Sequence, residues 1–152
     1  ERVLLAGGGC GMAPLLYLAR KISESGVQPH FALGFRNRSR ILTHDEFSAL
    51  GPVYLSTEDG SQGYRGFVTD IPEFSNEHWD RVYCCGPEPM MKAVAALCRK
   101  RDIFCEVSLE NLMACGLGIC LCCVVPTTSG NLCSCTDGPV FNINDLKWQT
   151  SG

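Results

Sequence analysis

The chain has 152 residues, 45% of them apolar and 19% charged, with a formal net charge of −3. That balance describes one folded domain of ordinary size, or a domain with a small satellite, and excludes a disordered tail. A mildly acidic chain has no electrostatic reason to bind nucleic acid or an anionic membrane; no apolar run reaches spanning length, and no export signal is visible.

Arg2 to Ala6 reads as a short buried strand running into Gly7, Gly8 and Gly9. A helix is expected from Pro14 to about Ser25, because Leu15, Leu18, Ala19 and Ile22 recur at helical spacing and Gly26 offers a stop. Phe31 to Phe35 is the second expected strand, His44 to Leu50 a short helix, and Val53 to Thr57 the third strand. A turn-rich stretch with Gly60, Gly63 and Gly66 follows. Arg81 to Cys85 is the fourth strand, Glu88 to Arg101 an amphipathic helix, and Phe104 to Leu109 the fifth strand. Strands alternating with helices predict an α/β fold: an open, five-stranded parallel sheet with helices on both faces.

The character changes near Glu110. Between Asp102 and Leu146 there is no Lys or Arg, and Gly, Cys and short apolar residues dominate. We therefore expect two units, an α/β domain over 1–108 and a small irregular or β module over 109–152. The second is too small to be stable on core burial alone and needs a metal or disulfide staple. Six of the eleven cysteines fall between Cys115 and Cys135. The odd total and the missing export signal favour a metal or cluster site over a disulfide framework, and a cytoplasmic location.

Gly9-Cys10-Gly11-Met12-Ala13-Pro14 lies between the first strand and the first helix. Glycines there let the backbone approach a pyrophosphate, and the following helix points its N–H groups at the anion. Pro14 suits the first helical turn, where its missing N–H costs nothing. There is no Lys-Ser/Thr ending of the kind a nucleotide triphosphatase uses. Cys85-Gly86-Pro87 ends the fourth strand, on the same carboxyl edge of the sheet, so Cys85 is placed to face the same ligand. Cys84 should point to the opposite face and serve only packing.

Gly-x-Gly-x-x-Pro at the first turn and Cys-Gly-Pro-x-Pro-Met after the fourth strand resemble the NAD(P)-binding domain of the ferredoxin reductase superfamily. The resemblance implies that Cys85 approaches a nicotinamide ring and that Gly9, Gly11 and Pro14 hold the pyrophosphate, with Gly86 and Pro87 beside them. That family's FAD-binding β-barrel normally precedes this domain. The chain starts inside a strand without an initiator Met, so the barrel is expected before residue 1 and absent from this piece.

Cys115, Cys120 and Cys123 have the spacing Cys-x4-Cys-x2-Cys with Gly116 and Gly118 in the first gap, and Cys133-Ser134-Cys135 follows. This is the plant-type [2Fe–2S] pattern; structural zinc more often uses two short Cys-x2-Cys knuckles. The stretch from Leu109 to Cys123, closing with Cys135-Thr136-Asp137-Gly138-Pro139-Val140-Phe141, resembles the electron-transfer subunit of class 1B dihydroorotate dehydrogenase. Asp59-Gly60-Ser61 and Gly63-Tyr64-Arg65-Gly66 fit the same subunit. The resemblance implies a [2Fe–2S] cluster on Cys115, Cys120, Cys123 and Cys135, with NAD and FAD as further cofactors. The residues alone leave Cys133 or Cys135 as the fourth ligand. It also implies an FMN-containing catalytic subunit as partner, dihydroorotate as the electron source in pyrimidine biosynthesis, and a piece inactive on its own. A flavin has to stand between nicotinamide and cluster, since hydride carries two electrons and the cluster takes one.

Related modules serve a hydrogenase, a sulfide dehydrogenase or a glutamate synthase-type partner, and a zinc-stabilised interaction module on a nucleotide-binding domain is the reading of another class. Glu110 should emerge on the carboxyl edge next to Cys85. Glu58 and Asp59 suit a ribose diol and favour NAD, whereas Arg36, Arg38 and Arg40 suit a 2′-phosphate and favour NADP. Leu117, Ile119 and Leu121 interleave with the cysteines and are expected to form an apolar, partner-facing cover or to pack the module's own core. His30, His44 and His78 have no metal-ligand spacing.

Overall fold

A computed structural model describes residues 1–148; the last four residues of the expected C-terminal module, 149–152, lie outside the described residues. The five expected strands form as β1 (Val3–Gly8), β2 (Pro29–Phe35), β3 (Val53–Thr57), β5 (Arg81–Cys85) and β6 (Phe104–Ser108). These five run parallel to one another. β1 is buried along its whole length, as expected of a central strand covered on both faces.

Two short strands widen the sheet from the expected five to seven. β4 (Tyr64–Arg65) adds to β3, and β9 (Val140–Asn142) pairs antiparallel with β6, giving the order β4-β3-β2-β1-β5-β6-β9. β9 belongs to the cysteine-rich half. Without it β6 would present a row of unpaired backbone groups to solvent, and β9 covers that edge. Leu109 N–H donates to Pro139 O at 2.9 Å and Ile143 N–H to Cys105 O at 3.1 Å, and the Arg99 guanidinium donates to Ile143 O. The remaining strands, β7 (Val124–Thr127) and β8 (Gly130–Cys133), form a separate hairpin.

Side chains alternate across the pleat, and the two faces carry separate cores. On one face Leu5, Phe31 and Leu33 pack with Met12, Leu15 and Ala19 of α1 (Met12–Glu24) and Phe47 of α2 (His44–Ser48). On the other, Leu4, Ala32 and Val82 pack with Phe74 of α3 (Pro72–Asn76) and Met91, Val94 and Cys98 of α4 (Glu88–Lys100). α1 starts two residues earlier than the proline suggested, so Pro14 stands in its first turn without opening it. β9 and β7 join the second core through Phe141 and Val125, which anchors the cysteine module to the sheet.

The chain runs outward from β1 through β2 and β3 to β4, then returns to lay β5 and β6 on the other side of β1. The strand order reverses at β1, and the crevice at the carboxyl ends of β1 and β5 is where such sheets bind ligands.

Candidate functional site

Register brings the two sequence motifs together. Gly7 of β1 pairs with Cys85 of β5, and Gly8 with Gly34 of β2. The chain then turns through Gly9–Gly11 and enters α1. Gly11 sits directly on the Cys85–Gly86 peptide: a Cβ there would overlap the Cys85 carbonyl and stand 2.6 Å from the Gly86 nitrogen. Gly86 in turn lies against Gly8, where a Cβ would approach Gly8 O to 3.0 Å. The Gly9–Gly11 turn and the Cys-Gly-Pro turn are therefore one packed unit.

Above this unit opens a cleft of about 1170 Å³. Gly8, Gly9 and Cys10 form its floor, Pro87 and Met90 one wall, and Arg36, Arg40, Glu58 and Phe67 the far end. Gly9 has open space around its Cα, so the backbone there is bare to a ligand. Ala13 lines the cleft from the first turn of α1, whereas Pro14 does not.

The two acidic candidates separate. Glu58 lines the cleft. Asp59 does not, because its carboxylate accepts from Ser61 N–H at 2.9 Å and Ser61 O–H at 2.6 Å, and Ser61 Oγ accepts Arg38 N–H at 2.8 Å. These bonds hold the Asp59 carboxyl below the ordinary range, the Ser61 hydroxyl first and its N–H second. Asp59 is thus engaged in a turn, a use that Asp-x-Ser spacing signals.

Cys85 is only 8% exposed and its side chain packs on the α1 face, so it lies beneath the edge of the cleft rather than in its lining. Burial pushes its thiol up, a hydrogen bond with Ser108 opposes this, and the charge of Glu110 pushes it up further. Ser108 is its register partner on β6. Glu110 follows two residues on and is exposed at the same edge. Cys84 points the other way into the α4 core with Cys98 and Cys105, and burial raises its thiol well above the ordinary value. These three are packing thiols, as free Cys in cores usually are.

From Glu110 the chain passes into the cysteine loop. The Cys115 sulfur accepts N–H groups from Leu117 at 3.3 Å and Cys120 at 3.4 Å. Those donors, Cys120 N–H first, bring its pKa down to about 6. Gly118 holds φ +76, a left-handed conformation that glycine adopts freely, and its N–H is aimed at Cys135. Cys123 is buried and lowered by the Cys135 N–H and then its thiol, while Cys135 is raised by the same thiol bond. Asn111, which the sequence did not single out, ties the loop together: its side-chain amide donates to Cys123 O at 3.3 Å and Ser134 Oγ at 3.1 Å.

Among the described residues no three His, Cys, Asp or Glu side chains converge on one point that would hold a single metal ion. Cys115 lies beside Cys120, and Cys123 beside both Cys133 and Cys135. A mononuclear zinc site needs four ligands about one centre. Cys115, Cys120, Cys123 and Cys135 would hold a two-iron cluster, with the N–H groups aimed at the Cys115 sulfur stabilising its thiolate, and the cluster would supply one-electron transfer.

Leu117, Ile119 and Leu121 are 70%, 77% and 62% exposed, so they do not pack the module's interior. Leu112 and Met113 are exposed on the same loop. No helix among the described residues is long and apolar enough to cross a membrane.

Comparison with known proteins follows the same division. Residues 5–96 match the oxidoreductase NAD-binding domain family, and residues 110–147 match the iron–sulfur cluster binding domain of dihydroorotate dehydrogenase B. Dihydroorotate dehydrogenase B (NAD(+)), electron transfer subunit, from Shouchella clausii is 42% identical over 96% of this chain and 57% of its own length. The subunit of the same name from Caldanaerobacter subterraneus subsp. tengcongensis is 43% identical over 93% of this chain and 57% of its own. This chain thus spans under two thirds of the length of these relatives. The solved structure of an NADH-dependent reduced ferredoxin-NADP oxidoreductase superposes with a TM-score of 0.88 at 31% identity, covering 97% of this chain and 54% of that one. The chain belongs to the oxidoreductase NAD-binding domain family and joins to that domain the iron–sulfur cluster binding domain of dihydroorotate dehydrogenase B.

Proposed function

We propose that this chain is the nicotinamide- and cluster-binding part of an NAD-linked electron-transfer subunit that serves dihydroorotate oxidation in pyrimidine biosynthesis. The observation that carries the reading is positional. Cys85 and Ser108 are register partners at the carboxyl edge, and the chain leaves that edge through Glu110 directly into the cysteine loop. The nucleotide cleft and the cysteine loop are consecutive in the chain and attached to one sheet.

In this reading Gly9 and Gly11, with the start of α1, receive the pyrophosphate, Pro14 stiffening that first turn. Gly86 and Pro87 shape the wall, and Glu58 rather than Asp59 meets the adenosine ribose. Cys85, backed by Ser108 and Glu110, borders the nicotinamide end. Cys115, Cys120, Cys123 and Cys135 hold a [2Fe–2S] cluster, which supplies one-electron transfer, while FAD exchanges single electrons for hydride. The 1–108 and 109–152 division separates these two tasks. The partner is an FMN-containing catalytic subunit, the location cytoplasmic, and the piece alone inactive without its flavin.

The superposition on the ferredoxin-NADP oxidoreductase favours a second reading, in which the same two modules serve ferredoxin instead. Mixing the flavin-loaded protein with a dihydroorotate dehydrogenase catalytic subunit decides between them. The first reading predicts dihydroorotate-dependent reduction of NAD+. Ferredoxin-dependent turnover without any response to dihydroorotate would replace it by the second.

A further inference from the structure

The ligand set above leaves two loop thiols unused, the exposed Cys122 and the half-buried Cys133. The β7–β8 ladder places Cys133 opposite Val124, the residue after Cys123. Cys135 follows two positions later. Between them Ser134 is 1% exposed; its N–H donates to Cys123 O at 3.0 Å and its Oγ receives the Asn111 amide at 3.1 Å. Ser134 is therefore pinned to Cys123 directly by its main chain and to Asn111 by its side chain, and the same Asn111 amide also donates to Cys123 O at 3.3 Å. Cys133 and Cys135 flank this pivot and are both half-buried.

The backbone around Cys133 is itself fixed. Its N–H donates to the Asp137 carboxylate at 2.7 Å, and its carbonyl accepts Asp137 N–H at 2.8 Å. Cys133 is thus held on a fixed backbone across the hairpin from the residue after Cys123, and a change of its side-chain rotamer leaves that backbone in place.

We propose that Cys133 is a reserve ligand of the cluster, replacing Cys135 when that thiolate is lost. This rests on the reading that the module holds a [2Fe–2S] cluster. In the exchange the iron–sulfur bond to Cys135 breaks and Cys135 takes up a proton. The Cys133 thiol gives up its proton and forms the new iron–sulfur bond. No atom changes oxidation state.

The test uses anaerobically reconstituted wild type, Cys133→Ala, Cys135→Ala and the double variant, read by iron and acid-labile sulfide content and by electron paramagnetic resonance after reduction. Cys133→Ala should match wild type. Cys135→Ala should keep more than about half of the iron with altered g-values, and the double variant less than about a tenth. Cys135→Ala as empty as the double variant overturns the proposal, as does an empty Cys133→Ala beside an intact Cys135→Ala. Alkylation mapping gives a second arm: Cys133 should be labelled in loaded wild type and protected in loaded Cys135→Ser, and equal labelling in both overturns it. Wild type without iron and sulfide would instead bring down the cluster reading itself.

Discussion

Gly11 and Cys85 touch through their main chains, with no room for a side chain between them. The phosphate turn therefore owes its position to the end of β5 as much as to β1. Gly11→Ala should push the two apart at a cost of about 1–3 kcal/mol, the usual range for overpacking. NADH affinity should weaken by roughly tenfold or more, equivalent to about 1.4 kcal/mol per decade. Fluorescence titration with NADH and a urea melt read both effects. Unchanged affinity would show that the turn does not meet the nucleotide.

Nucleotide choice should follow Glu58 and not Asp59. Glu58 lines the cleft with Arg36 and Arg40, while the Asp59 carboxylate is spent on Ser61. Glu58→Gln should weaken NADH binding and narrow its advantage over NADPH, because a ribose diol loses the charged, two-oxygen acceptor and the nearby arginines then favour a 2′-phosphate. Asp59→Asn should leave the preference unaltered. Competition titrations with the two nucleotides check this, and a shift confined to Asp59→Asn would reverse the assignment.

Phe141 secures the cysteine module to the sheet, packing into the α4 core from the strand that covers β6. Phe141→Ala should cost about 3–5 kcal/mol, as loss of a buried aromatic ring does. Because β9 closes the segment that carries Cys133 and Cys135, the variant should also lose bound iron faster to a chelator. Equal loss rates in variant and wild type would mean that the module folds independently of the sheet.

Low pH should weaken the opposite end of the fold. His30 sits on β2 with its Nδ1 3.2 Å from the Tyr54 hydroxyl and its ring edge-on to Trp79. Burial first, then Arg2, hold its pKa below the ordinary 6.5, with Glu77 opposing. The unfolded chain then binds a proton near pH 6.5 that the folded chain binds only at lower pH, so stability is full above 6.5 and falls as pH drops through that window. Thermal melts from pH 7 to pH 5 should slope downward in wild type and less so in His30→Gln. Identical slopes would assign the acid sensitivity to other groups.

The exposed Leu117, Ile119 and Leu121 predict where a catalytic partner docks. Leu117→Asp should weaken assembly with that subunit by tenfold or more, an effect of about 1.4 kcal/mol per decade. NADH oxidation by artificial acceptors in the flavin-loaded subunit should be spared. Unchanged assembly removes this surface from the interface.

Much of this was legible from residues. The five core strands announce themselves as short apolar runs, α1 and α4 by helical periodicity, and the cysteine loop by its spacing. β4 has only two residues and β9 three, too short for any period to register. β9 also pairs with a strand far away in sequence, so nothing local marks it. The same limit hid Asn111, whose amide acquires meaning only once Cys123 and Ser134 fold back beside it. A carboxylate after a strand suits either a ribose or a turn, and the bond from Ser61 that places Asp59 in a turn involves a side chain the strand pattern does not mark.

The most direct test is the metal content of the anaerobically purified chain. The four thiols predict two irons and two acid-labile sulfides per chain, with a single reduced-state paramagnetic signal lost in Cys115→Ala. One zinc per chain, with no sulfide and no such signal, would contradict the account.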